Sequence, residues 1–225
     1  MRNRLPIALA VTAMASQMAA AEAWRDGFVS RVEALALIQT LNASLLASRS
    51  ATATLEKWCA DHKMAAEPKI VARRVAEIAK EPSEETRRRL EVGAEEPVKY
   101  RRVQLACGEH VLSEADNWYV PGRLSDETNR ALETTETPFG KAIAPLQPFR
   151  RTIEMKMRWS PLPDGWEVSV AAPAPEKANG ALGIPHDLFE HTAVVYARDQ
   201  RPVSEVHETY TREILAFPAP AAPRD

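Results

Sequence analysis

Apolar residues return at helical spacing between Trp24 and about Ser48, at Phe28, Val32, Leu35, Leu37, Ile38, Leu41, Leu45 and Leu46. This predicts a long amphipathic helix with a face that must pack on something. Thr52 to about Lys63 reads as a second helix, with Leu55, Trp58 and Cys59 on its buried side and Pro68 beyond it as a breaker. Ile70 to Ile78 is ambiguous: it suits a strand by length, but Ala and Arg interrupt the apolar residues. In the charged stretch Lys80 to Gly93, Pro82-Ser83-Glu84-Glu85 supplies a cap and an acidic first turn. A short, solvated helix is expected there.

From Tyr100 the period changes to two, the spacing of a half-buried strand. The run Tyr100 to Ala106 ends at the polar turn Cys107-Gly108-Glu109-His110. Val111-Leu112-Ser113-Glu114-Ala115-Asp116-Asn117-Trp118-Tyr119-Val120 follows. About ninety residues later the same arrangement returns: an alternating run from Thr192 to Ala197, then the turn Asp199-Gln200-Arg201. After it comes Pro202-Val203-Ser204-Glu205-Val206-His207-Glu208-Thr209-Tyr210-Thr211. Ser, Glu and Tyr recur at matching places, which predicts two related hairpins in one sheet with a ligand cleft between the halves.

Between the hairpins, Pro121-Gly122 ends the first and Ser125-Asp126-Glu127 starts a helix to about Thr134. Thr137-Pro138-Phe139-Gly140 interrupts, and Lys141 to Ala144 is long enough for one more turn. Phe149 to Trp159 alternates as a long strand with Ile153, Met155, Met157 and Trp159 on one face. Residues 161–183, rich in Pro, Ala and Gly, read as loop, with a candidate short strand over Trp166 to Val170. His191 to Tyr196 and Val203 to Leu215 form the second hairpin. Local strands with segregated helices give an α+β fold: an antiparallel sheet of two related hairpins, covered by helices on one side.

The amino terminus changes the expected compartment. Met1-Arg2-Asn3-Arg4, an apolar core from Leu5 to Ala15 and the end Ala19-Ala20-Ala21-Glu22-Ala23 match a secretory signal peptide. The apolar run is too short to span a bilayer, and no later segment is a candidate. The expected organisation is a signal peptide over 1–23, one domain over 24–217 and a disordered Pro/Ala tail over 218–225. Within the domain, 24–50 is the amino-terminal helix and 52–215 the core. The protein is then periplasmic or secreted.

Charge adds mainly exclusions. Lys and Arg number 29 against 31 Asp and Glu, interspersed, for a net charge of −2. That offers no phosphate-tracking surface and argues against a nucleic-acid partner. The two cysteines, Cys59 and Cys107, suggest one disulfide in an exported chain, with two buried free thiols as the alternative. Five scattered histidines and two cysteines show no metal-ligand spacing, so no metal is expected.

Two charges stand in rows otherwise suited to burial. Strand parity puts Arg101 with Val103, Leu105 and Cys107, and Glu208 with Val206 and Tyr210. A charge in an apolar row is costly unless it is paired or meets a ligand. Either the two form a structural ion pair (or stand exposed, if the parity is wrong), or they line a cleft for an anionic, partly apolar molecule. In the second case Arg101 clamps a carboxylate through its planar fork. Glu208, partly desolvated with a raised pKa, gives or takes a proton. His207, Glu114 and Glu205 fall on the opposite faces of their strands and read as solvated or structural.

At these residues the chain resembles the chorismate lyase family and its wider superfamily, which includes ligand-sensing domains of some bacterial transcription regulators. The resemblance covers roughly Thr52 to Leu215. It is most recognisable from Arg101-x-Val103-x-Leu105 through Tyr119-Val120-Pro121 to Leu132 and Thr137-Pro138-Phe139-Gly140, and again from Arg201-Pro202 to Glu208. It implies an antiparallel sheet with a buried ligand cleft under helical flaps, and removal of pyruvate from chorismate to give 4-hydroxybenzoate without metal or cofactor. The family's carboxylate-binding arginine falls on Arg101, or on Arg102 with the register slipped by one, and its catalytic glutamate on Glu208. A ligand-contacting backbone amide falls on Phe139, and a further arginine on Arg150. Tyr210 is a candidate substrate contact on the strand of Glu208.

The chain departs from that family in three places: the export signal, the Asp-Gln-Arg-Pro turn in place of a glycine-containing one, and the loop over 161–183. Three functions are compatible with the sequence. One is a lyase of the chorismate type, and another is a non-catalytic periplasmic module that binds or senses an aromatic carboxylate. The third is an interaction protein whose pocket has filled. The expected partner is a small aromatic or cyclic carboxylate, and a monomer is expected.

Overall fold

In a computed structural model the described residues are 24–75, 79–168 and 180–219. The predicted signal peptide, residues 169–179 of the proline-rich loop and the end of the tail from 220 lie outside them. So does Ile78, where the ambiguous segment ends. Among the described residues no helix is long and apolar enough to cross a membrane.

Six antiparallel strands form one sheet: β1 (Ile70–Arg74), β2 (Lys99–Cys107), β3 (His110–Tyr119), β4 (Phe149–Met157), β5 (Asp187–Tyr196) and β6 (Pro202–Thr211). Their order is β1-β2-β3-β6-β5-β4, so two three-stranded halves meet at the β3–β6 seam. The repeated phrase pairs with itself across this seam. Ser113 lies opposite Tyr210 and Tyr119 opposite Ser204, with Asp116 and His207 at the centre. Each hairpin also shifts register at the matching place, between Leu105 and Ala106 in one and Val195 and Tyr196 in the other. The two hairpins are related by a pseudo-twofold axis normal to the sheet.

Helices α1 (Phe28–Ala47) and α2 (Ala51–Asp61) cover one face. Ala34, Ile38, Leu41 and Leu45 of α1 and Leu55 and Trp58 of α2 are buried against Leu105, Phe189 and Tyr210 of the sheet. Ile38, Leu41 and Leu45 of the predicted stripe are therefore buried as their spacing predicts, whereas Phe28 and Leu46 at its two ends are exposed. Helix α1 starts at Phe28 and not at Trp24, because Trp24 is spent on another task. Its indole Nε1 donates to the Leu215 carbonyl at 3.1 Å, and Arg25 bridges to Ala181. Ser50 caps α2 by accepting from the Ala53 amide. Cys59 and Cys107 are disulfide-bonded with Cα atoms 6.2 Å apart, tying α2 to the end of β2. Gly108 turns this hairpin at φ 54°, and a Cβ there would lie 3.0 Å from Ala65 Cβ. Only glycine fits.

Helix α3 (Glu84–Arg89) is capped by Ser83 as expected, but it is not merely a solvated surface element. It closes one corner of the opposite sheet face, where Leu90, Trp118 and Val120 form a second small core. Helix α4 (Asp126–Thr134) begins at the predicted Ser125 cap, and the short α5 (Phe139–Ala142) starts two residues before the expected turn. The candidate strand at Trp166 is a 3-10 turn over Trp166–Val168. The last strand ends at Thr211, and 212–215 form a 3-10 turn.

Candidate functional site

The sheet face beneath the helices is a grid set by strand pairing. One cross-strand row reads Arg101, Asn117, Val206, Ala193 and Thr152; the next reads Val103, Ala115, Glu208 and His191. Small side chains at Ala115, Ala193 and Val206 leave a shallow apolar floor, and longer polar side chains reach over it from the flanks. Two lips close above. One is the α1–α2 junction from Arg49 to Thr52, the other α5 with Phe139 and Gly140. The lips touch at Gly140, where a Cβ would lie 3.2 Å from Thr52 Oγ1 and 3.3 Å from Ser50 Oγ. The cleft between floor and lips holds about 70 Å³.

Arg101 lies at one flank, 6% exposed. Its Nη2 donates to the Thr137 carbonyl at 2.9 Å, while its Nε and Nη1 are buried with no hydrogen-bond partner. Among the described residues no carboxylate pairs with it. Burial, reinforced by the positive charge of Arg74, pushes its pKa down to about 10. It remains a cation at neutral pH with two donors unspent, and leaving such donors unmade costs about 1–3 kcal/mol, more for a charged group.

Glu208 lines the same cleft but already has a partner. Arg150 Nη2 stands 2.8 Å from Glu208 Oε2, both side chains almost wholly buried. The contact is an ion pair without the alignment of a hydrogen bond. Tyr210 donates its hydroxyl to the same oxygen at 3.0 Å. Burial alone would lower the pKa of Arg150, but Glu208 and Tyr210 outweigh it and hold the guanidinium higher. The Tyr210 hydroxyl is pushed well up, first by burial and then by the Glu208 charge. His191, across the strand from Glu208, is pushed down to about 4 by burial. Glu208 opposes that shift and Arg150 adds to it. A neutral imidazole therefore meets Asn42 Oδ1 of α1 at 2.8 Å through Nε2.

Arg101, Phe139, Arg150 and Glu208 all line the cleft. Three placements need correction. Arg102 points to the opposite sheet face, where it pairs with Glu114 at 3.2 Å, so the register does not slip and it leaves the site. Tyr210 is wholly buried beneath Glu208, stacked on Phe189 at 4.5 Å, and supports the carboxylate instead of touching the cleft. Glu205, read as solvated, is fully buried, because α3 covers it. Its burial would raise its pKa, but bonds from His207 and Thr86 and the Arg89 charge lower it.

A larger hollow of about 220 Å³ lies on the opposite face, lined by Arg102, Glu114, Asp116, Glu190 and His207. Its carboxylates are already paired: Glu114 with Arg102, Asp116 with Lys80, and Glu190 with Arg158 at 2.7 Å. Size alone does not make it the site. The unspent donors belong to Arg101, which lines the inner cleft and holds them enclosed beside it.

One relative covers nearly the whole chain. The uncharacterized protein y4mC of Sinorhizobium fredii (strain NBRC 101917 / NGR234) is 46% identical over 207 residues, 92% of this chain and 86% of the relative. The chain belongs to the y4mC family. No family model matches it. Among solved structures, the y4mC-family fold is similar to the possible transcriptional regulator YydK of Bacillus subtilis, at 12% identity and TM-score 0.38, over 68% of this chain and 62% of that one. PhnF of Mycobacterium smegmatis matches at 15% identity and TM-score 0.42, over 69% and 64%. A GntR-family transcriptional regulator of Enterococcus faecalis matches at 11% and 0.40, over 68% and 99%. The chain spans less than two thirds of the length of the first two.

Sequence reasoning missed Asn117 and the pairing of Arg150 with Glu208. Asn117 shares its strand face with Ala115, so parity could have found it. Arg150 was hidden by a register shift between Thr152 and Glu154 that drops Ile153 out of the ladder. The shift reverses parity, so Arg150 and Thr152 share the inner face with Met155 and Met157, and Ile153 lies exposed.

Proposed function

We propose that this chain binds a small aromatic or cyclic carboxylate in the inner cleft, with Arg101 as its clamp. The observation that carries this reading is the pair of buried, partnerless donors on Arg101, beside an apolar floor. A carboxylate would accept from one of these nitrogens, which donate from different edges of the guanidinium, and restore the missing counter-charge. Glu208, at the other side of the floor, would accept from a ligand hydroxyl. The cleft is smaller than the roughly 150 Å³ cavity that admits a benzene ring. An aromatic acid therefore requires the Ser50–Thr52 and Phe139–Gly140 lips to part.

Titration with benzoate and 4-hydroxybenzoate tests this, comparing wild type with Arg101→Met. The substitution is expected to weaken binding about 100-fold, the worth of roughly 3 kcal/mol of charge-assisted hydrogen bonding. The unliganded protein should be no less stable, since a buried cation without a counter-ion has been removed. Equal affinity in the two proteins would remove Arg101 from the site.

The same cleft supports a second reading, elimination of pyruvate from chorismate, because Glu208 lies within it along with Arg101. Arg101 would orient a carboxylate and Glu208 would exchange a proton with the departing enolpyruvyl group, while ring aromatisation drives the reaction. Incubation with chorismate decides between the readings. Appearance of 4-hydroxybenzoate with equimolar pyruvate supports the lyase, and ligand binding without turnover leaves the binding module.

Export belongs to the same proposal. The basic start, the short apolar core and the Ala-rich end of residues 1–23 support it. A buried disulfide suits an oxidising compartment. Full-length protein expressed in a bacterium should be recovered from the periplasmic fraction with Trp24 at its amino terminus. Recovery from the cytosol with residues 1–23 attached would contradict export.

A further inference from the structure

Asn117 is directly opposite Arg101 on the neighbouring strand, lines the cleft and is 4% exposed. Its Oδ1 accepts from the Ser204 hydroxyl at 2.7 Å. That bond decides the orientation of the amide. The alternative acceptor for the Ser204 proton is the Glu205 carbonyl at 3.5 Å, at the limit of a useful hydrogen bond. Ser204 therefore donates to Asn117, and the amide nitrogen is turned away from it. Among the described residues that nitrogen has no partner. It is also not among the fully enclosed atoms that lack one, so it is open to the cleft. Ser204 is itself wholly buried and cannot swing away, which fixes Asn117 as a presented donor.

From this geometry we infer that Asn117 is a specificity-determining residue. It gives an N–H to a hydrogen-bond acceptor on the ligand, distinct from the carboxylate held by Arg101. The inference rests on the carboxylate-binding reading and narrows it. The ligand class is a carboxylic acid carrying a second oxygen acceptor, a carbonyl or ether, over the apolar floor. A plain aromatic acid leaves the Asn117 amide unmade in a dry site, and a ligand with the acceptor gains that bond. Glu208, as a carboxylate, offers only acceptors, so Asn117 and Glu208 read opposite hydrogen-bonding characters on one ligand.

The test uses benzoate against 3-acetylbenzoate and 4-acetylbenzoate, which add only an acceptor at two positions. With the wild-type full chain, at least one acetyl isomer should bind about fivefold more tightly than benzoate, the worth of one neutral hydrogen bond. In Asn117→Leu, which keeps size and removes the donor, that preference should vanish. Asn117→Ala serves as the second variant if the leucine substitution folds poorly, and should lose the preference in the same way. A wild-type protein without preference overturns the inference, and so does a preference that persists in both variants. In either case benzoate binding that depends on Arg101 leaves the broader reading standing. If none of the three acids binds the wild type, both fall together.

Discussion

Glu208→Ala is expected to lower the free energy of unfolding by about 3–5 kcal/mol, the cost of removing one partner of a buried ion pair. The carboxylate is the counter-ion of Arg150, whose side chain is 3% exposed, and the acceptor of a wholly buried Tyr210 hydroxyl. Truncation leaves a cation and a hydroxyl stranded beneath α1. Removing both charges in the double variant Arg150→Met, Glu208→Leu should recover most of the loss, since apolar side chains of similar size suit that interior better than a lone cation. Urea unfolding at unchanged m-value reads both numbers. A loss under 1 kcal/mol in the single variant would mean that the pair is solvated and the floor of the cleft is not dry.

Replacing both cysteines by alanine is expected to cost about 4 kcal/mol. Cys59 and Cys107 are 48 residues apart in sequence, and closing a loop of that size restricts the unfolded chain by about this amount in the chain-entropy argument. Both residues are fully buried, so the alanines also leave small voids. Trp58, next to Cys59 on α2, still donates to the Ile214 carbonyl at 2.9 Å in such a variant, which keeps α2 docked in the folded state. The deficit should therefore appear in stability and much less in ligand affinity. Equal stability of the oxidised protein and the double variant would show that the bridge restrains nothing.

The seam of the sheet was legible in the chain because it is a repeat. The recurring Ser of each phrase pairs with the recurring Tyr of the other across β3 and β6. Arg101 and Glu208 were legible because a charge in an apolar row is conspicuous at period two. Their relationship was not. The two alternatives were pairing with each other or a shared ligand site, whereas Arg150 claims Glu208 and leaves Arg101 unpaired. Arg150 could not be assigned its face because parity counting assumes an unbroken ladder, and β4 is broken at Ile153. Glu205 failed for a different reason. Its strand face is predicted correctly, but only tertiary packing brings Thr86 and Arg89 of α3 over it. The face that Glu205 shares with Glu114 is half-buried at Glu114 and closed where α3 packs.

The most direct measurement is a structure of this protein crystallised with benzoate at saturating concentration. A carboxylate oxygen should lie about 3 Å from Nε or Nη1 of Arg101, with Glu208 still on Arg150 and the two lips parted around the ring. A carboxylate bound elsewhere, or an Arg101 guanidinium turned out to solvent with the cleft empty, would contradict the account.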